Sequence, residues 1–167
     1  MKKYVLFGTA CLVLIFGFIL GSSYYKGKQV DKYGFLAQKN AELFVRDHSP
    51  TLGSDEAKVF IVEFMDPACE TCAAFSPFVK RIMAANPGKI KLVLRYAPFH
   101  DGADNFVKIV EAAGKQGKYW ETLDLMFKTQ GIWASHGNWQ PEKLWDLLPR
   151  AGVDIEQIRK DMHSPEI

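Results

Sequence analysis

The sequence predicts an α/β domain carried behind one N-terminal apolar helix, and three observations predict it. Residues 4–21, YVLFGTACLVLIFGFILG, run without a single charge. Residues 58–97 read as strand, turn, helix and strand, the pattern of a βαβ unit. From residue 103 onward the apolar spacing becomes helical and stays so almost to the end. At 167 residues the chain has room for one domain with a real core and hardly for two. A composition of 48% hydrophobic and 24% charged residues excludes a disordered chain. A net charge of +2 without any dense Lys/Arg cluster argues against a nucleic-acid-binding protein.

The segment 4–21 is at the threshold length for crossing a bilayer and longer than the usual core of a cleaved signal. The nearest cleavage candidate, Gly21-Ser22-Ser23, is weak, so an uncleaved anchor is expected, with Cys11 facing lipid. Lys2 and Lys3 flank one side and Lys26, Lys28 and Lys32 the other, so charge alone does not orient it. Residues 1–3 then form a short cytoplasmic tail. Residues 22–49 are expected as a linker, SSYYKGKQV, and an amphipathic helix from Asp31 to Asp47, with Phe35, Leu36, Lys39, Leu43 and Phe44 at helical spacing. Pro50, Gly53 and Ser54 punctuate a turn. KVFIVEF, residues 58–64, reads as a buried strand. Phe75, Phe78, Val79, Ile82 and Met83 give a helix over 71–85 that Asn86-Pro87-Gly88 ends, and KIKLVLRYA, 89–97, is a second apolar strand. Helices are expected at about 103–116, 118–129, 141–151 and 154–162, separated by Gly117, the stretch Gly131–Asn138, and Gly152. Their aromatics, Tyr119, Trp120, Phe127, Trp133, Trp139 and Trp145, read as packing residues.

Two of the three cysteines, Cys69 and Cys72, stand in FMDPACETCAAF at the start of the first helix. A thiol there faces unpaired backbone N–H groups and the positive end of the helix dipole, which favour thiolate. Cys69 is the expected nucleophile, and Cys72, one turn on, can resolve a mixed disulfide. A structural zinc site wants four ligands, whereas His48, His100, His136 and His163 are scattered and there is no second cysteine pair. A purely structural disulfide closing so short a loop would constrain the unfolded chain little. Capture of Cu(I) by the dithiol is the minor alternative.

These residues resemble the thioredoxin fold and, within it, the membrane-anchored DsbA-like thiol–disulfide oxidoreductases. Glu63, six residues before Cys69, stands where the family carries a buried carboxylate that moves a proton for the inner cysteine. Pro77, five residues after Cys72, stands where it has a helix-kinking proline. The helices at about 102–163 resemble the DsbA-type helical insertion. The resemblance implies a thioredoxin-like domain over 50–167 with Cys69, Cys72 and Glu63 catalytic and with Glu70, Thr71 and Pro77 tuning the redox pair. Glu70 places a negative charge beside the thiolate, and Thr71 offers one hydroxyl donor, so a moderately oxidising pair, a reductase or an isomerase is expected. The family continues with a cis-proline strand, a further strand and a final helix. No proline after the helices falls in that context, so a fragment or truncated product with those elements missing is expected.

The function expected is thiol–disulfide exchange on cysteine-containing proteins, from a single-pass tether in the cell membrane with the domain on its periplasmic or extracellular side. No cofactor or metal is expected. A membrane or soluble redox partner would restore the pair, and nucleic acid is not a partner. The alternative is a non-catalytic thioredoxin-fold binding module or a Cu(I)-binding scaffold.

Overall fold

The structure, a computed structural model, describes residues 2–135 and 138–167. It divides into two compact units, Met1–Arg46 and Asp47–Ile167. The first unit is helix α1, Lys2–Lys39, followed by a single turn, α2, Ala41–Phe44. The helix runs unbroken through SSYYKGKQV, which was expected as a linker, and past Asp31, where a separate helix was expected to begin. Two glycines there, Gly27 and Gly34, cost only about 1 kcal/mol each in helix propensity. Partners four apart offset part of that: Gln29 Nε2 donates to Tyr25 Oη at 2.7 Å, and the Lys28 ammonium lies 5.0 Å from the Tyr24 ring centre. Asn40 ends the helix by donating its side-chain amide to the Leu36 carbonyl at 2.7 Å. Within α1 the stretch Lys2–Leu36 is long and apolar enough to cross a membrane, its most apolar window reaching a mean hydropathy of 2.4. The apolar side chains of Leu12, Leu14, Phe16, Phe18 and Leu20 are exposed along it.

The second unit is built on a three-stranded sheet: β1, Thr51–Gly53, β2, Val59–Met65, and β3, Ile90–Tyr96, in the order β1-β3-β2. Strands β2 and β3 are parallel, with Glu63 opposite Leu94 and Met65 opposite Tyr96. Helix α3, Glu70–Ala85, makes the crossover that a parallel pair requires. Strand β1 runs antiparallel to β3, with Leu52 opposite Leu92. Four helices follow: α4, Ala103–Lys115, α5, Tyr119–Trp133, α6, Glu142–Leu147, and α7, Ile155–Asp161. A two-stranded ribbon, β4, Ala134–Ser135, and β5, Asn138–Trp139, lies between α5 and α6. Met65, Leu92 and Leu94 join Phe106, Ile109, Val110, Leu123, Met126, Trp133 and Ile158 in one core. Trp133, wholly buried, rests 4.7 Å from the Phe106 ring centre. Trp120, Phe127 and Trp145 pack on the same core, as expected of them, while the Trp139 side chain lies outside the described residues.

The strands and helices stand close to their expected positions, with four differences. β1 was read as a turn, because three residues carry too little pattern to signal a strand. Gly131, expected as a separator, lies inside α5. β2 is not a buried strand: it pairs on one side only, and Val59, Phe60 and Phe64 are each about half exposed. The helix expected at 141–151 is α6 followed by a 3-10 turn, Leu148–Ala151.

Candidate active site

The turn that carries the dithiol starts where β2 ends. Asp66 accepts the Ala68 N–H on its own Oδ1 at 2.7 Å, closing an Asx turn, and its carbonyl accepts the Cys69 N–H at 3.1 Å. Pro67 cannot continue a ladder, so the strand stops there. Cys69 then takes extended backbone angles and becomes the residue that begins α3, its carbonyl accepting the Ala73 N–H at 3.0 Å. Its side chain does not cap the helix. The sulfur therefore stays available beside the N–H groups of the first turn.

Cys69 and Cys72 are both free thiols and both partly exposed. The two stand one helical turn apart at the start of α3, close enough for each to act on the other. Burial pushes the Cys72 thiol up to about 11, and the Cys69 sulfur and the Glu63 charge add to the rise, while the Asp66 backbone N–H at the Cys72 sulfur opposes it. Glu63 is half-buried on β2, and desolvation raises its carboxyl above the usual range, against the pull of the Lys80 ammonium. Lys80 in turn pairs with Asp124 of α5. The structure thus brings Cys69 and Glu63 each within electrostatic reach of Cys72. Glu70 and Thr71 are exposed in the first turn of α3, and Pro77 is exposed farther along, with the helix continuing past it.

Two residues that the sequence reading did not single out hold this turn. Asp66 is wholly buried. Its Oδ2 accepts the Phe99 N–H at 2.8 Å and the His100 N–H at 3.1 Å, and it pairs with His100 Nδ1 at 2.8 Å. Gln130, buried on α5, donates its Nε2 to the Pro67 carbonyl at 3.0 Å. The signal for Asp66 was legible, since an Asp-Pro pair directly after a strand marks a turn. Gln130 lies in sequence far from the turn and gave none. His100, read from sequence only as one of four scattered histidines, meets the active turn through Asp66. Among the described residues no three His, Cys, Asp or Glu side chains gather as metal ligands, and His136 lies outside those residues.

A parallel βα unit with a dithiol at the helix N-terminus, followed by a layer of helices, defines the thioredoxin-like class with a DsbA-type insertion. The family model described as Thioredoxin matches residues 46–167, and the chain belongs to that family. A probable disulfide bond formation protein D of Bacillus anthracis is 30% identical over 143 residues, covering 77% of this chain and 63% of that protein. The crystal structure of a thioredoxin-like oxidoreductase from Silicibacter pomeroyi superposes with a TM-score of 0.64 at 30% identity, covering 76% of this chain and 70% of that one. Wolbachia pipientis α-DsbA1 shares the fold at a TM-score of 0.63 and 16% identity, over 76% of this chain and 65% of its own. The chain also matches Na(+)/H(+) antiporters NhaA, of which it spans only 18% of the Herminiimonas arsenicoxydans protein.

Proposed function

We propose that the chain carries out thiol–disulfide exchange on cysteine-containing proteins outside the cytoplasm, tethered to the membrane by α1. The observation that carries this reading is the pair of free thiols, Cys69 and Cys72, at the start of α3. In it, residues 4–21 are the membrane-spanning part, residues 22–49 connect, and residues 50–167 are the exchange domain. Cys69 is the nucleophile. Cys72, whose thiol holds its proton more tightly, resolves the mixed disulfide, and Glu63 accepts or returns that proton. Exchange needs no cofactor, and a redox partner in the membrane or in solution resets the pair. The names of the Bacillus and Silicibacter relatives support the chemistry. The exposed Glu70 places a negative charge beside Cys69, and the pair is moderately oxidising at most and suited to reduction or isomerisation as well.

Incubation with glutathione disulfide tests the assignment of roles. In Cys72→Ala the Cys69 thiolate attacks one glutathione sulfur, expels the other as glutathione and leaves a mixed disulfide that nothing resolves. Mass spectrometry should find that adduct accumulating in Cys72→Ala and absent in Cys69→Ala. The reverse pattern would falsify the assignment.

A further inference from the structure

Two phenols and a carboxylate lie end to end in the layer next to the dithiol. Tyr96, the last residue of β3, donates its hydroxyl to Glu111 Oε1 on α4 at 2.5 Å. The Tyr119 hydroxyl on α5 lies 2.6 Å from the Tyr96 oxygen. Since the single Tyr96 proton is committed to Glu111, Tyr119 must be the donor in that second bond, which leaves the Tyr119 oxygen as acceptor for a further group. Glu63 of β2 is the carboxylate on the dithiol side, where its charge acts on Cys72. It pairs across the sheet with Leu94 while Met65 pairs with Tyr96, so Glu63 and Tyr96 share one face, one diagonal step apart on neighbouring strands. The Glu63 charge also acts on Tyr119. At the far end, Tyr96 and Glu111 line an open groove with His48, Arg95 and Glu166.

We propose that Tyr119, Tyr96 and Glu111 form a proton wire that connects Glu63, next to Cys72, with the surface groove. It rests on the reading of Cys69 and Cys72 as an exchange site. When the dithiol closes, Cys72 gives its proton to the Glu63 carboxylate, and its thiolate attacks the Cys69 sulfur of a mixed disulfide. The Cys69–Cys72 bond forms, the bond to the substrate sulfur breaks, and that sulfur leaves as thiolate with the electron pair. Cys72 is oxidised and the substrate sulfur reduced. Glu63 then passes its proton through bridging water to the Tyr119 oxygen, as Tyr119 passes its own to Tyr96 and Tyr96 its own to Glu111. Glu111 releases the proton to water in the groove. Opening of the disulfide runs the same path backwards. Burial drives both phenols far above their ordinary range, so neither ionises at working pH and each always holds one proton to hand on. The cation that acts on Glu63, Lys80, is engaged by Asp124 and is not the outlet.

The groups that set the pH response are Cys72 and Lys80 from α3 and Tyr119 from α5 around Glu63, with Tyr96, His48, Arg95 and Glu166 around Glu111. The test measures closure of the glutathione-mixed disulfide by stopped flow, on the full chain in detergent, in water and in deuterium oxide, for Tyr119→Phe, Tyr96→Phe and Glu111→Gln. Glu111→Gln keeps an acceptor at the groove and is the variant least able to disturb folding. Closure near neutral pH should slow about tenfold, a part of what a general base supplies. The deficit should narrow as pH rises toward the ionisation of Cys72 itself. The equilibrium constant against glutathione should stay unchanged, and added imidazole should restore the rate, because a small buffer can replace a wire but not a lost fold. Wild-type rates in all three variants overturn the wire alone, as does a slowing that imidazole leaves in place. A wild-type chain that exchanges no disulfide with glutathione overturns both the wire and the reading beneath it.

Discussion

A buried carboxylate that accepts from Ala68, Phe99 and the backbone and ring of His100, as Asp66 does, leaves those groups without a partner when it is removed. Buried donors left unpaired cost about 1–3 kcal/mol each, partly relieved where water enters. Asp66→Ala should therefore lose roughly 3 kcal/mol in urea unfolding. Asp66→Asn, which keeps the shape and one acceptor, should recover part of that. Glu63 behaves in the opposite way. Desolvation raises its carboxyl, so the folded chain holds this proton to a higher pH than the unfolded chain does. The stability tied to it is complete below the unfolded value near 4.5 and is lost as pH rises through the folded one. Thermal melts of Glu63→Gln should match wild type near pH 4 and exceed it at pH 8. An equal difference at both pH values would mean that the side chain's shape, not its charge, is what matters. In the proposed reaction the same variant should slow exchange near neutral pH.

At the scale of elements, two glycines with the same side chain play different parts. Gly53 closes β1 at φ +114°, and a Cβ there would stand 2.5 Å from the Ile90 carbonyl oxygen. The antiparallel pairing of β1 with β3 brings those backbones together, so only glycine fits. Gly131 sits inside α5 with open space where a Cβ would point. Gly53→Ala should cost about 1–3 kcal/mol through strain and clash. Gly131→Ala should stabilise by about 0.5–1 kcal/mol through helix propensity. Paired melting curves of the two variants check both signs. Elsewhere the elements are tied by side chains: Gln116 exchanges hydrogen bonds of 2.8 and 3.0 Å with the Asp154 backbone, and Asp154 caps α7 through the Gln157 N–H. That joins the end of α4 to the start of α7.

The whole molecule comprises two units, one with an exposed apolar helix and one a folded domain. In water a helix exposing Leu12, Leu14, Phe16 and Phe18 would be costly, whereas in a bilayer it is the favoured state. The chain should float with lipid vesicles and stay with them at high salt. A charge at the middle of the span costs about 2.5–3.5 kcal/mol, so Leu12→Arg with Phe16→Arg should shift the chain toward the soluble fraction. Flotation that salt abolishes would mean surface attachment instead of insertion.

What the sequence determined by itself was whatever is written locally. The β-branched strand before FMDPACETC, the apolar spacing of α3 and the positive-φ glycines Gly117 and Gly152 each act on near neighbours, so each placed its element within a few residues. The position of Cys69 at the head of a helix followed from the same local chemistry. Tertiary structure decided the rest, because it depends on partners distant in the chain. Only the pairing of Thr51–Gly53 with β3 makes those three residues a strand. Only the one-sided pairing of β2 leaves Phe60 and Phe64 half exposed despite an apolar sequence that reads as buried. Asp66 meets His100, Gln130 meets Pro67, and Tyr96 meets both Glu111 and Tyr119 across gaps that no spacing rule spans. A side chain's type sets what it can bond to, and only the fold sets what stands within reach.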